Sequence, residues 1–420
     1  MKLTKLIKKG KTSKSIFLLM SGSILGQLIT LICSPFVTRI YSPTEMGDYT
    51  IIITIVTLFS VVINGRYDAA IVSAKDDDEA ISLAIISFIF AFILSIIITF
   101  GSLVYLRYYG DYKAINTKLM IWVFPLLLIY GITNVLNGYN NRKQEFRIMS
   151  DVYVIRIGAQ NIITIVLGLL RFEALGLLIG QLLGNIFGIR RQSKILISNL
   201  NKYKQNQWEN IAKTLCLYKD QLVYSVPASF TNSLSYSLIN FLIGGLFGTY
   251  LLGLYSISYR VLGLPLGIFS TNIAKVYYVN ASAEKEKEGT FWQSTKQTLV
   301  VAFLIAVMMV VFLILLAPTV FAVVFGDHWR EAGEYVRILS PMFGLRLIVG
   351  SIGFNFIIAK KQKTEFIVQT LLLLALICSY ILTNALSLNI DSFLLLISVL
   401  YSLIYLFEIF IMVYYSRVKE

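Results

Sequence analysis

Residues 80–106 read AISLAIISFIFAFILSIIITFGSLVYL, 27 residues without a single Asp, Glu, Lys or Arg. Three more charge-free apolar runs occupy residues 15–38, 297–326 and 366–390. About 20 apolar residues are enough for a helix to cross a hydrocarbon layer of about 30 Å. A soluble domain of this length would instead carry charges every few residues, on amphipathic helices. The sequence therefore predicts an all-α polytopic membrane protein.

The composition supports this prediction. Of the 420 residues, 57% are hydrophobic and 14% are charged, whereas soluble chains are about 25% charged. The formal net charge is +14, but the basic residues cluster between the apolar runs. We therefore expect contact with membrane lipids and not with nucleic acid. Cys33, Cys216 and Cys378 are far apart and fit no metal or redox spacing.

The apolar runs and the polar gaps between them divide the chain into twelve predicted transmembrane helices. Their approximate spans are 15–38, 45–65, 80–105, 117–139, 147–170, 173–190, 220–246, 249–276, 296–318, 335–359, 365–387 and 391–416. With the N-terminus in the cytoplasm, 27 Lys and Arg residues fall in inner segments and 7 in outer segments. This asymmetry follows the positive-inside rule and predicts that both termini are cytoplasmic.

The helices are expected to form two six-helix lobes. The N-terminal lobe spans 1–195, a basic cytoplasmic linker spans 196–219, and the C-terminal lobe spans 220–420. The motif x-x-Gly-x-Tyr begins the second helix of each lobe, at 45–49 and at 251–255. Pro125 and Pro341 lie in the fourth helix of each lobe. These matches predict a repeat whose pseudo-two-fold axis runs along the membrane normal.

Charges inside predicted helices are the candidate functional residues, because a midplane Arg costs roughly 2.5–3.5 kcal/mol on insertion scales. Arg260, Arg156 and Arg346 are such residues. They predict a cationic cavity for an anionic substrate such as a lipid diphosphate, or ion pairs with Asp151 or Glu408. These two acids are also candidates for coupling to H⁺ or Na⁺, although a buried pair with an Arg is the other interpretation of Glu408.

Catalytic and metal-binding patterns are missing from the sequence. His328 is the one histidine, so neither a Ser-His-Asp nor a Cys-His arrangement is available. The largest predicted outer loop, 318–336, holds only three acidic residues. We therefore expect neither an enzyme nor a metal cofactor.

Three segments have a familiar pattern: SPFVTRIYSPTEMG at residues 34–47, RYDAAI at 66–71 and GLYSISYRVLGLP at 253–265. The first two resemble the first helical hairpin of the polysaccharide flippases of bacteria, and the third resembles their eighth helix. These flippases form the O-antigen and capsule exporter (Wzx-type) branch of the multidrug/oligosaccharidyl-lipid/polysaccharide (MOP) superfamily.

The resemblance implies two lobes around a cavity that opens alternately to each side of the bacterial cytoplasmic (inner) membrane. The implied substrate is an undecaprenyl-diphosphate-linked oligosaccharide, flipped to the outer leaflet for surface polysaccharide synthesis. The implied cationic lining includes Arg39, Arg66 and Arg260, and the implied sugar contacts are Tyr255 and Asn232 or Asn240. Implied protein partners are a polysaccharide polymerase and a chain-length regulator.

Alternatives remain at this point. Arg39 and Arg66 are also typical of interfacial anchors that extend toward the headgroups. A cation-coupled multidrug antiporter of the same superfamily would have the same helices, but it usually carries an acid within its first lobe. A lipid II flippase would have more than twelve helices. A major-facilitator carrier would show a Gly- and Arg-rich loop between residues 66 and 79, and this sequence has none.

Overall fold

The computed structural model describes residues 11–109, 117–200 and 207–419, and helices are the only regular elements in those ranges. The predicted cytoplasmic ends at 1–10 and 420, and residues 201–206 of the predicted linker, lie outside the described residues. The α-helices are α1 (Lys11–Ile40), α2 (Pro43–Ser60), α3 (Tyr67–Ala70), α4 (Asp77–Tyr109), α5 (Val123–Arg142), α6 (Phe146–Leu169), α7 (Glu173–Ile186), α8 (Ile189–Leu200), α9 (Gln207–Leu217), α10 (Val226–Pro265), α11 (Thr271–Glu288), α12 (Trp292–Phe325), α13 (Arg330–Ser351), α14 (Asn355–Ile358), α15 (Gln362–Leu386) and α16 (Ile390–Arg417).

Nine segments within the described ranges are long and apolar enough to cross a membrane. The all-helical polytopic class is therefore confirmed. One of the nine, Ser237–Glu288, has 52 residues, which at about 1.5 Å per residue exceeds twice the thickness of a hydrocarbon layer. Helix α7 is apolar but shorter, and α2 is not among the nine. The count of twelve therefore stays a prediction.

The shortest gaps between predicted helices follow residues 170 and 246. At both places the backbone has residues with positive φ. Helix α10 is broken at Gly248, which has φ 87° and ψ 175°, and this residue lies between the spans predicted to end at 246 and to begin at 249. Only glycine adopts such a conformation at low cost. The predicted tight turn after residue 170 has positive φ at Arg171 and Glu173. Two backbone hydrogen bonds close this turn. Arg171 N donates to Gly168 O (2.9 Å), and Phe172 N donates to Leu167 O (3.1 Å).

The chain forms two compact units, of which the first ends at Thr249 and the second begins at Tyr250. The described part of the predicted linker belongs to the first unit, where Leu196 is 2% exposed and packs with Tyr67, Ile71 and Tyr139. Helices α8 and α9 therefore cover one end of the first unit as folded elements. The lobe boundaries at 195 and 220 stay a prediction.

Amide side chains tie the helices of the first unit together. The buried Asn64 Nδ2 donates to the carbonyls of Ser87 and Gly131, both at 3.1 Å, and so joins the end of α2 to α4 and α5. Asn134 donates to Ser60 O and to Asn64 Oδ1. Such bonds satisfy backbone and side-chain groups that lipid cannot.

The second unit contains a comparable junction. The buried Asn355 Nδ2 donates to the hydroxyl of Tyr277 (3.1 Å) and to Met412 O (3.0 Å). Helix α12 packs on α13, α13 on α16, and α15 on α16. The equivalent pairs of the first unit, α4 with α5, α5 with α7 and α6 with α7, are also in contact. The order of packing inside one unit is thus repeated inside the other, as the repeat predicts.

One of the close approaches at glycines of the first unit provides a test of the packing. A Cβ at Gly47 of α2 would overlap the carbonyl oxygen of Thr249, which is backbone and cannot rotate away. We expect Gly47→Ala to lower the free energy of unfolding by about 1–3 kcal/mol, measured as a fall in the thermal midpoint in detergent. Gly101→Ala in α4 is the matched control, because no atom lies within 4 Å of its Cβ position. Equal midpoints for the two variants would contradict the packing.

Candidate functional site

Arg260 lies in the second half of α10, twelve residues beyond Gly248. Its neighbours Ile257, Ser258 and Leu262 are completely buried, and the Ser258 hydroxyl donates to Ala332 O at 2.7 Å. Arg260 itself is half-buried. Within the described ranges its guanidinium makes no hydrogen bond and no ion pair. A cation is therefore held inside an apolar segment without a counter-ion among the residues that the structure describes.

Arg346 of α13 has a different environment. Its Nη1 donates to the Tyr259 hydroxyl at 3.0 Å. The guanidinium carbon lies 5.9 Å from the centre of the Tyr259 ring and 5.5 Å from that of Phe343, within the range of cation–π attraction. Tyr255 is 1% exposed and packs on Tyr259 with ring centres 5.8 Å apart. The structure thus brings Arg346 and Tyr255 to one aromatic cluster, and this cluster holds Arg346.

Glu408 of α16 is buried in the second unit, with 3% of its surface exposed. Its Oε2 has no hydrogen-bond partner among the described residues, and no ion pair joins it to an arginine in those ranges. The predicted buried pair with an Arg is therefore not found there. Glu365 of α15 is the acid close enough to act on it electrostatically. A buried carboxyl without a partner is costly, and such groups are common at functional sites.

Arg156 of α6 is 8% exposed in the first unit. Its Nε donates to Phe187 O at 3.2 Å and its Nη2 to Gln192 Oε1 at 2.8 Å. Both acceptors are neutral. Asp151, one of the two acids offered as a possible partner for the intramembrane arginines, instead forms an ion pair with Arg191 at 2.8 Å. Arg156 therefore fixes the turn between α7 and α8 while its charge stays uncompensated by a described acid.

The two remaining arginines lie near the ends of the first hairpin. Arg39 is exposed near the end of α1, just before the capping box that Ser42 and Glu45 form at the start of α2. Arg66 is half-buried and has φ 63°, and its Nε has no partner among the described residues. Burial raises the pKa of the neighbouring Asp68 carboxyl, although the charge of Arg66 opposes this shift.

The two candidate amides lie on the first half of α10, in the first unit. Asn232 is exposed. Asn240 donates to the Thr54 hydroxyl of α2 at 3.1 Å. The predicted sugar contacts of Asn232, Asn240 and Tyr255 stay predictions.

Sequence reasoning missed the polar residues that organise the first unit. Gln181 is 7% exposed; it accepts from the Tyr49 hydroxyl at 3.2 Å and donates to the Tyr130 hydroxyl at 2.7 Å. Gln192 donates to Asn137 Oδ1 at 3.1 Å. These residues could have been found from the sequence, because they are amides in otherwise apolar helices. A search restricted to charged residues does not detect them.

Comparison with known proteins adds the family. Residues 36–334 match the family described as "Polysaccharide biosynthesis protein". The chain belongs to this family. No curated protein sequence matches the chain.

Solved structures of MOP superfamily transporters have the same fold as this member of the polysaccharide biosynthesis protein family. The lipid II flippase MurJ in an inward closed conformation is 16% identical, with a TM-score of 0.68, over 94% of this chain and 86% of that chain. An inward-facing multidrug resistance MATE family transporter is 18% identical, with a TM-score of 0.61, over 92% and 93%. A MOP superfamily transporter from Pyrococcus furiosus is 17% identical, with a TM-score of 0.55, over 96% of each chain. The predicted MOP-type fold is therefore confirmed.

The environment of Glu408 yields a second test. Glu408→Gln keeps the size of the side chain and removes its ionisable group. We therefore expect the free energy of unfolding to rise by about 1–3 kcal/mol, measured as a higher thermal midpoint in detergent. Glu334→Gln is the control, because the Glu334 side chain is 47% exposed and makes a 3.5 Å ion pair with Arg337, a kind of contact that contributes little. A lower midpoint for Glu408→Gln would show that the carboxylate has a stabilising partner.

Proposed function

We propose that this protein flips undecaprenyl-diphosphate-linked oligosaccharide repeat units from the cytoplasmic to the outer leaflet by alternating access, for surface polysaccharide synthesis. The observation that carries the proposal is Arg260, a half-buried cation without a partner among the described residues. Membership of the polysaccharide biosynthesis protein family supports it. So does the fold shared with the lipid II flippase MurJ.

The chemistry of Arg260 suits a diphosphate. A guanidinium presents five N–H donors in a planar fork that matches phosphate oxygens in pairs. An Arg in the middle of a membrane helix costs roughly 2.5–3.5 kcal/mol on insertion scales, and a bound anion would recover part of that cost. An anionic headgroup that must cross the hydrocarbon layer is a ligand of this kind.

Other residues are proposed to contact the substrate during transport. Arg39 and Arg66 would add positive charge to the substrate path. Tyr255, Asn232 and Asn240 are the proposed sugar contacts. Arg346 and Arg156 already bond within the protein. We therefore give Arg346 a supporting role through Tyr259, and we do not place Arg156 on the substrate path.

Ion coupling would be the task of Glu408. It is buried and its Oε2 lacks a partner among the described residues, so a proton or Na⁺ would change its energy strongly. Asp151 is the weaker candidate, because Arg191 already neutralises it.

The proposed setting is a bacterial cytoplasmic membrane crossed by twelve helices, with both termini in the cytoplasm. The proposed partners are membrane lipids, a polysaccharide polymerase and a chain-length regulator. The protein would act as a transporter and not as an enzyme, and it would not bind nucleic acid.

A cation-coupled multidrug antiporter is the second candidate. The buried Glu408 and the fold shared with a multidrug resistance MATE family transporter favour it. Against it stands the charge of Arg260, because a cationic site repels cationic drugs.

Substitution of Arg260 separates the two functions. We expect Arg260→Ala to abolish surface polysaccharide in the native host at an unchanged protein level, because the diphosphate loses its cation. Arg260→Lys should restore part of the export, since it keeps the charge and loses the fork. Glycan staining of intact cells together with immunoblotting measures both quantities.

Arg337→Ala is the matched control in the same unit. Arg337 is 54% exposed, and its ion pair with Glu334 is a surface contact, so normal export is expected. Normal export from Arg260→Ala would contradict the flippase mechanism. Normal surface glycan with altered sensitivity to cationic drugs would favour the antiporter.

A further inference from the structure

A cavity of about 320 Å³ lies inside the first unit, between α1, α5, α6 and α8. Its polar lining consists of Ser23, Asn137, Ser150, Tyr153, Arg156 and Gln192. Among the side chains that the structure describes, no acidic one lines it. The volume is at the lower end of the range for ligand sites, and a dry cavity of this size would have an apolar lining.

Arg156 is the charge of this cavity. It is more than nine-tenths buried, and two of its five N–H groups are used by Phe187 O and Gln192 Oε1. Neither acceptor carries a charge. The nearby carboxylate of Asp151 is held by Arg191 at 2.8 Å. A buried cation without a counter-ion is strongly unfavourable, so an anion in the cavity would stabilise the fold.

The hydrogen bonds around Arg156 leave N–H donors of the lining side chains available to a ligand in the cavity. Gln192 uses its oxygen to accept from Arg156 and its nitrogen to donate to Asn137 Oδ1. This bond fixes the Asn137 amide with its oxygen occupied and leaves its Nδ2 as a donor. The hydroxyls of Ser23 and Tyr153 can donate as well. Donors around a cation form a site for oxyanions.

Helix α8 indicates where the anion comes from. Leu196 on its inner face is buried in the core of the unit, while Arg190, Lys194 and Ile197 are exposed on its outer face. Basic and apolar side chains on one face are typical of a helix at the membrane surface, where they attract anionic lipids. Tyr153 of the cavity wall is itself 42% exposed.

We propose that this cavity binds the phosphate of an anionic membrane lipid, and that Arg156, Gln192 and Asn137 are its ligands. The lipid supplies the counter-ion that Arg156 lacks and holds α8 against the first unit. This inference does not rest on the identity of the transported molecule, because it concerns a resident lipid and a different arginine.

The sharpest test is Asn137→Asp in the full chain, purified in detergent and stripped of lipid. Aspartate keeps the oxygen that accepts from Gln192, and it places a carboxylate beside Arg156. We expect the variant to have a higher thermal midpoint than the wild type without lipid. Its affinity for phosphatidylglycerol should fall by roughly ten- to a hundredfold, the loss of one or two charge-assisted hydrogen bonds.

Asn141→Asp is the control, because it makes the same change on the same helix at an exposed position. Native mass spectrometry and thermal midpoints are measured with phosphatidylglycerol, with phosphatidylcholine and with inorganic phosphate. The proposal expects phosphatidylglycerol to be retained and to raise the midpoint in the wild type and in Asn141→Asp, but not in Asn137→Asp.

Three results would overturn it. Retention of phosphatidylglycerol by Asn137→Asp at wild-type affinity would remove the cavity as its site. A midpoint raised equally by inorganic phosphate would make this a site for a free anion. No effect of any additive on the wild type would leave Arg156 with a purely structural role. Because the readout is lipid retention, failure here leaves the proposed transport function untouched.

Discussion

The cost of placing polar groups in hydrocarbon governs this structure. Every backbone and side-chain polar group within a membrane helix needs a partner supplied by the protein. Along α2, the Thr50 hydroxyl donates to Met46 O and the Thr54 hydroxyl to Thr50 O, each at 2.6 Å. Asn64 and Asn355 instead link separate helices. Most polar side chains of the described helices are satisfied in one of these two ways.

Exceptions to this rule identify the candidate functional groups. Arg260, Arg156 and Glu408 are each charged or ionisable, each lie within an apolar segment, and each lack an ion-pair partner among the described residues. The missing counter-charges are the common basis for the proposed diphosphate, lipid phosphate and coupling ion.

The sequence was sufficient for the helical class and for most helix positions, because charge-free runs of this length have one solution in a membrane. It also placed the boundaries near Gly248 and after residue 170. Glycine and a two-residue gap are local signals. The partners of the buried charges could not be read from the sequence. Asp151, one candidate partner for the intramembrane arginines, binds Arg191, because ion pairs are set by helix rotation and side-chain reach, which periodicity does not specify.

The packing of the predicted linker was also not evident from the sequence. Residues 196–219 are polar and basic in sequence, yet Leu196 and Ile211 pack against the helical core. Its two short amphipathic helices have too few apolar residues to be recognised as packed elements. The Arg156 cavity depends on α8, so sequence reasoning could not assemble that site even though it identified the arginine.

The most direct measurement of the central claim is lipid flipping by the purified chain in proteoliposomes. A fluorescent undecaprenyl-diphosphate-linked oligosaccharide is placed in both leaflets, and its access to an impermeant quencher is followed over time. We expect complete quenching with the wild type, and quenching limited to the outer leaflet with Arg260→Ala and with empty vesicles. Outer-leaflet quenching alone with the wild type, at confirmed insertion, would contradict the proposed function.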